Sequence, residues 1–281
     1  MKGPDPAHPL YLGMRAGDLE HKPFAKYWNP DIAPLSAAAR EALACGPVAS
    51  ALLCPLQEAK RLLEPGHHLL EDGFGFAEDG SLYVAIRTPM PKVSPAMIDW
   101  WFGWHGAEPQ RYKLWHPRAH VHAQWAEPID DEARKVGRER YVGRVSFVDE
   151  YLGSRLSHIS IAFRRPSKLD FDERALADPE QATVVCARIG FAGRPLDVGW
   201  LVHHVRRAGD GSEMRSRFWL GGRHASLRGL GTLGEAVART IARFVKPTIA
   251  DGRNLLVHCA QEMAHLASFL PAIHSELRDS P

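Results

Sequence analysis

A histidine and a glutamate four residues apart, His258 and Glu262, lie in a stretch of helical composition. On an α-helix this spacing places both side chains on one face, one turn apart. An imidazole nitrogen and a carboxylate oxygen held in this way can grip a divalent metal such as zinc at two points. The neighbouring residues are apolar, which indicates a buried helix in which a charge needs a partner. The pair therefore predicts half of a metal site, with a solvated surface pair as the alternative.

A cluster of three histidines, His116, His120 and His122, could supply a further ligand. Pro117 argues against one regular element through His116, so we predict a loop that leads into a short helix or strand. Imidazole is a common metal ligand, and at least one ligand is expected here, with hydrogen-bonded structural histidines as the alternative. Glu150 ends a predicted strand and is another candidate metal ligand, with an exposed loop carboxylate as the alternative.

The composition indicates which classes of protein are compatible with the sequence. The sequence has 281 residues, of which 45% are hydrophobic and 24% charged, as in an ordinary globular protein. The net charge of +2 does not favour nucleic-acid binding, and the apolar runs are too short for a membrane span. The first residues lack the apolar core of a signal peptide, so a cytoplasmic location is predicted. Four scattered cysteines without CxxC spacing predict buried free thiols: Cys45, Cys54, Cys186 and Cys259.

The order of elements predicts an α+β protein in which antiparallel strands precede long C-terminal helices. Residues 1–80 are expected to form an N-terminal arm and a small helical extension, and residues 81–281 a catalytic domain. Alternating patterns predict strands at 81–88, 141–150, 157–165, 182–190, 198–207 and 213–220. Helices are predicted as a pair within 33–63 broken at Gly46, then at 94–104 and 232–245. Gly252 is read as a break, and the last helix is predicted to follow it and run to about Phe269. Residues 130–140 are predicted to be a charged surface segment. A curved sheet wrapped on the last helix would leave a cavity for a ligand.

Two aromatic and histidine patterns bear on that cavity. Trp100, Trp101 and Trp104 fall in one predicted helix and are expected to form either a pocket wall or part of the core. In the hairpin formed by 198–207 and 213–220, alternation places His203 on one face and His204 on the other.

Six segments carry a resemblance to a known family, in consistent order over residues 24–270: FAKYWNP at 24–30, MIDWWFGWH at 97–105, RYKLWHPRAH at 111–120, VHHVR at 202–206, EMRSRFWLG at 213–221 and HCAQE at 258–262. Together they resemble the diacetylphloroglucinol hydrolase family, which includes phloretin hydrolases. The resemblance implies a zinc-dependent hydrolase that cleaves the carbon–carbon bond between a phenolic ring and an acyl group. It also implies a helix-grip fold, as in plant pollen-allergen and lipid-transfer domains, with an N-terminal extension.

The resemblance also implies a ligand set for one Zn²⁺. The helical pair corresponds to His258 and Glu262, and the remaining carboxylate to Glu150, with Asp149 as its neighbour. The remaining histidine corresponds to His120, with His116 as the second choice.

Around the metal, the candidate catalytic residues are His203, Tyr112 and His116. Zinc would polarise the carbonyl or lower the pKa of bound water to about 7. His203, with a reference pKa of roughly 6.5, would shuttle the proton. The resemblance implies a second tyrosine at the position of Phe218, where this sequence lacks the hydroxyl. The tryptophan cluster is expected to pack the substrate ring.

The expected partner is a small aromatic acyl phenol, and a homodimer is one oligomeric state to test. Two other functions fit the same fold. One is a carrier of hydrophobic ligands without catalysis, and the other is a different mononuclear metalloenzyme, such as an iron-dependent oxygenase.

Overall fold

The computed structural model describes residues 13–127 except residue 16, residues 137–228 and 246–279, and the isolated positions 234, 237 and 240. Most of the predicted charged segment at 130–140 and nearly all of the predicted helix at 232–245 lie outside the described residues.

One antiparallel sheet forms the centre of the molecule. Its strands among the described residues are β1 (Gly73–Phe76), β2 (Leu82–Met90), β3 (His120–Trp125), β4 (Val145–Leu152), β5 (Arg155–Arg164), β6 (Ala182–Phe191), β7 (Leu196–Ala208), β8 (Gly211–Leu220) and β9 (Ser226–Leu227). Their spatial order is β1-β2-β8-β7-β6-β5-β4-β3, with β9 paired to β7. The six predicted strands are confirmed, each within a few residues of its predicted bounds.

The described α-helices are α1 (Ala37–Cys45), α2 (Pro95–Trp104), α3 (Pro109–Trp115) and α4 (Ile249–Leu277), and a 3₁₀ helix spans Leu56–Leu63. A capping box starts α4, in which Thr248 Oγ1 accepts from the Asp251 N–H and the Asp251 carboxylate accepts from the Thr248 N–H. The predicted bounds of this helix were wrong at both ends. Gly252 lies inside it, and it continues through Pro271 because its apolar face goes on to the buried Leu277.

The concave face of the sheet packs on α4, which makes this an α+β helix-grip fold and confirms the predicted fold class. Leu256, Met263 and Leu266 are fully buried in the core between them. Gly252 allows close approach to β1, since a Cβ at this position would lie 2.4 Å from Phe74 Cδ2. None of the described helices combines the length and the apolar character needed to cross a membrane.

The outer face of the sheet carries a second, smaller core under the Leu56–Leu63 helix. There the buried Arg215 and Arg217 of β8 both contact the Glu71 carboxylate, at 2.6 and 2.5 Å. The strand alternation predicted for the hairpin is confirmed, because these arginines and His204 face away from α4 and His203 faces toward it.

All four cysteines are free, but only Cys186 and Cys259 are buried. The prediction of four buried thiols was wrong for Cys45, which is exposed in the last turn of α1, and for the half-buried Cys54.

Candidate metal centre and active site

Two imidazoles meet at one end of the space between the sheet and α4. Nε2 of His120 lies 3.4 Å from Nε2 of His258. The Nδ1 atoms point to backbone carbonyls, at 3.0 Å from Tyr112 O and 3.2 Å from Tyr151 O respectively. A carbonyl only accepts, so each Nδ1 carries the hydrogen and each Nε2 has a free lone pair. Two lone pairs that face each other repel unless a cation lies between them.

Their separation fits a zinc ion. With Zn–N bonds of about 2.0–2.1 Å, two ligands of a tetrahedral site lie roughly 3.4 Å apart. The observed distance between the Nε2 atoms of His120 and His258 is the same.

Two carboxylates complete the group. Oε2 of Glu150 lies 3.8 Å from both Nε2 atoms, and Oε2 of Glu262 lies 3.5 Å from His120 Nε2 and 3.8 Å from His258 Nε2. Both glutamate side chains are at least 88% buried, with 12% and 10% exposed. His120, Glu150 and His258 form a group that could hold one metal ion, and Glu262 lies within 3.8 Å of both imidazoles. Two nitrogens and two oxygens are a donor set that suits zinc.

The elements bring the four ligands together from three parts of the chain. His120 is paired directly with Glu150 across β3 and β4, and a bulge follows His120 in β3. Bulges of this kind redirect side chains beside active sites. His258 and Glu262 come from one face of α4, as their spacing predicts.

The electrostatics of the site favour a bound cation. Burial, and then the neighbouring Glu150 carboxylate, raise the pKa of Glu262 well above its usual range. Burial, and then His258 and His116, lower the pKa of His120 well below its usual range. Neutral imidazoles are the form that binds metal, and a divalent ion would offset the charges of the two carboxylates.

Tyr112 supports two of these ligands. Its hydroxyl donates a hydrogen bond to Glu150 Oε2, and its ring stacks on His120 with centroids 3.7 Å apart. Burial and the Glu150 carboxylate raise the pKa of Tyr112 well above 10. The phenol therefore stays protonated and acts as a donor to the carboxylate.

The alternatives considered for the ligand set lie beside the site. His116 stacks on His258 with centroids 4.9 Å apart, and burial, then His258, lower its pKa to about 2. Its Nδ1 is enclosed and has no hydrogen-bond partner among the described residues. Asp149 contacts His158 Nδ1 at 2.6 Å instead. The geometry thus brings together His120 and Glu150, rather than His116 and Asp149.

A cavity of about 760 Å³ opens from these ligands between the sheet and α4. Its wall is largely apolar and includes Phe102, Trp115 and Phe218. The predicted pocket tryptophans are not part of this wall; Trp100, Trp101 and Trp104 lie in the core instead. They pack against rings outside the cavity: His274 at 5.1 Å, Phe269 at 5.5 Å and Phe24 at 5.6 Å between centroids. Helix α2 is buried on nearly all sides, and the aromatic residue it presents to the cavity is Phe102.

His203 lies on the same cavity wall, on β7. Its Nδ1 is 2.8 Å from Ser216 Oγ on the paired strand, and burial lowers its pKa to about 3. Phe218 is its edge-to-face neighbour at 5.9 Å. The Cys259 thiol lies beside both Ser216 and Glu262. Ser216 and Cys259 therefore lie between the metal-binding group and His203, a proximity that sequence reasoning missed.

Fold and site together define a helix-grip protein with a buried group of two imidazoles and two carboxylates at the end of an apolar cavity. Residues 53–275 match the family model described as the DAPG hydrolase PhiG domain, and the chain belongs to this family of hydrolases. The resemblance seen in the sequence is thereby confirmed.

Two curated relatives are similar over nearly the whole chain. One is the 2,4-diacetylphloroglucinol hydrolase of Pseudomonas protegens, 32% identical, with 96% of this chain and 89% of that protein covered. The other is the phloretin hydrolase of Eubacterium ramulus, 28% identical, with 95% and 96% covered. Among solved structures, norcoclaurine synthase from Thalictrum flavum is 12% identical, with a TM-score of 0.33, and 72% of this chain and 97% of that chain are covered.

Proposed function

We propose that this protein is a zinc-dependent hydrolase that cleaves the carbon–carbon bond between a phenolic ring and its acyl substituent. The observation that supports it most is the convergence of His120, Glu150, His258 and Glu262 at the end of an aromatic-lined cavity. The names of the relatives, hydrolases of 2,4-diacetylphloroglucinol and phloretin, supply the substrate class.

The four ligands would hold the ion through two imidazole nitrogens and two carboxylate oxygens. When bound, zinc supplies Lewis acidity toward a carbonyl oxygen or lowers the pKa of bound water to about 7. Tyr112 keeps the Glu150 carboxylate oriented, as outer partners of metal ligands commonly do.

The reaction adds one water across the aryl–acyl bond. The hydroxide part goes to the acyl carbon and gives a carboxylic acid, and the proton goes to the ring carbon that carried the acyl group. A ring ionised at a hydroxyl and protonated at that carbon is a competent leaving group.

His203 is the residue proposed to move this proton. Burial lowers its pKa to about 3 and keeps the imidazole neutral at physiological pH, which is the form that accepts a hydrogen bond or a proton from a ring hydroxyl. The same imidazole can then return the proton to the ring carbon. Phe102 and Trp115 would pack the ring in place of the tryptophans first expected.

Elemental analysis of the purified protein, followed by a screen of acylphloroglucinols for acid release, tests the proposal. We expect one zinc per chain, and loss of both metal and turnover in Glu262→Ala. Glu276→Ala, an exposed glutamate on the same helix, is the matched control and should retain both. Full acid release by a metal-stripped Glu262→Ala protein would refute the scheme.

A further inference from the structure

His105 lies on the cavity wall together with His203, but the proposed reaction does not use it. It follows α2 directly, and only 4% of the residue is exposed. Its Nδ1 lies 2.8 Å from the carbonyl oxygen of Trp101, one turn earlier. Because a carbonyl only accepts, Nδ1 carries the hydrogen and Nε2 is left as an acceptor.

The acceptor atom is open to the cavity. Among the described residues, Nε2 of His105 has no hydrogen-bond partner. It is not sealed from the cavity, in contrast to the enclosed indole N–H groups of Trp101 and Trp104. Burial lowers the pKa of His105 to about 4, so the ring is neutral at physiological pH and this nitrogen accepts.

The aromatic neighbours fix the position of this acceptor. The His105 ring lies 5.1 Å from Trp115, 5.6 Å from Phe102 and 5.9 Å from Tyr112 between centroids. The Phe102 ring also contacts His203, at 5.9 Å. Two neutral imidazoles therefore flank one phenyl ring on the cavity wall, and each has its Nδ1 already engaged.

An acceptor left unpaired in such apolar surroundings destabilises the unliganded site. A ligand hydroxyl would remove that destabilisation. The side chain of Phe218, on the same wall, offers no polar group in its place.

We propose that His105 is a substrate-binding residue whose Nε2 accepts a hydrogen bond from a ring hydroxyl other than the one facing His203. The inference rests on the proposed function for the phenolic nature of the ligand. It narrows the substrate class to rings with several hydroxyl groups, because a ring without a hydroxyl at this position would leave the nitrogen unpaired.

Binding of two deacylated phenols tests this assignment. Phloroglucinol has three ring hydroxyls in a 1,3,5-arrangement and phenol has one, so phenol cannot place hydroxyls at His203 and His105 at the same time. Titration calorimetry with the zinc-loaded wild type should give at least a tenfold preference for phloroglucinol. In His105→Phe the preference should disappear through weaker phloroglucinol binding, and His105→Gln, which keeps an acceptor oxygen on a longer side chain, should retain part of it.

Circular dichroism and metal content establish that each variant is folded. A wild type that binds both phenols equally, or a folded His105→Phe that keeps the full preference, would overturn the assignment. If His105→Phe does not fold, the wild type and His105→Gln decide: a Gln variant with no residual preference opposes the role of an acceptor here.

The proposed function and the role of His105 fail in different measurements. If the proposed function is wrong, the wild type releases no acid from acylphloroglucinols. The binding comparison needs no turnover, so it tests His105 separately.

Discussion

The partner of each Nδ1 atom sets the tautomer of the imidazoles that line this site. His105, His120 and His258 each face a backbone carbonyl, which fixes hydrogen on Nδ1 and a lone pair on Nε2. His203 faces the Ser216 hydroxyl, which can donate or accept. The tautomers of these three rings are therefore fixed, and they act as metal ligands or hydrogen-bond acceptors. Of the four imidazoles, His203 is the one that can exchange its tautomer, as a residue that moves a proton must.

Replacement of Ser216 by Ala should expose this difference. The variant leaves Nδ1 of His203 without its partner, and general acid–base catalysis is worth about 10²–10⁴ in rate. We expect kcat to fall by roughly 10–100-fold, as part of that contribution, with zinc content unchanged. Ser212→Ala is the matched control, because that buried hydroxyl on the same strand has no hydrogen-bond partner in the part of the chain that the structure describes. Steady-state rates that match the wild type in Ser216→Ala would exclude this role.

Tyr112→Phe tests the support of the metal ligands. The change removes the hydrogen bond to Glu150 and keeps the ring stacked on His120. Loss of such an outer partner typically weakens metal affinity about 10–100-fold. Competition with a zinc chelator measures this. Tyr83→Phe is the control: it removes a buried hydroxyl on the outer face of the sheet that has no hydrogen-bond partner within the described ranges, and it should leave zinc affinity as it was. Equal zinc affinity in both variants would rule out support by Tyr112.

At the level of elements, periodicity decided what could be predicted. Regular alternation predicted the hairpin of β7 and β8. Helical spacing predicted that His258 and Glu262 share one face of α4. Helix α3 was not predicted, since its dense mixture of large polar and aromatic residues has no clear apolar face. The two glycines of the four-residue β1 gave no strand pattern.

Helix α2 is tied to the sheet by a buried carboxylate. Asp99 accepts hydrogen bonds from Tyr141 at 2.6 Å and from Thr183 on β6 at 2.8 Å. Burial nevertheless raises its pKa to about 6. Because the folded-state pKa lies above the unfolded value of about 3.9, this group stabilises the protein below pH 4 and loses that contribution as the pH rises through 6.

Asp99→Asn should remove this pH dependence. The amide oxygen can still accept both hydrogen bonds, and no charge is buried at high pH. Urea unfolding should show the variant more stable than wild type at pH 8, by on the order of 2–3 kcal/mol, and equal to it near pH 4. Asp210→Asn, in the exposed turn between β7 and β8, should follow the wild type at both pH values. A variant less stable at pH 8 would show that the charge on Asp99 is needed.

Across the whole molecule, the candidate site joins residues that are far apart in the sequence. The sequence indicated the types of ligand and, through their spacing, the pair on α4. The choice of His120 over His116 depended on the pairing of β3 with β4 and on the bulge after His120. The cavity wall depended on the rotation of α2, which turns Phe102 inward and the tryptophans into the core. Neither feature has a local sequence pattern.

Since one ion would connect β3, β4 and α4, metal binding should stabilise the entire fold. Without an ion, two carboxyl groups and two imidazole lone pairs face each other in a buried space. A ligand at 100 times its dissociation constant adds about 2.7 kcal/mol to the free energy of unfolding, or several degrees in melting temperature. Chelator-stripped protein should therefore melt several degrees below zinc-loaded protein, and zinc should restore the difference.

Two comparisons make this measurement specific to the site. Magnesium, which prefers octahedral oxygen ligands, should not restore the melting temperature of the stripped protein. In Glu262→Ala, zinc should raise the melting temperature much less, because α4 then supplies one ligand to the ion, His258, in place of two. Identical melting of stripped and zinc-loaded wild type would mean that the four side chains do not bind the ion as one site, whatever the protein's activity.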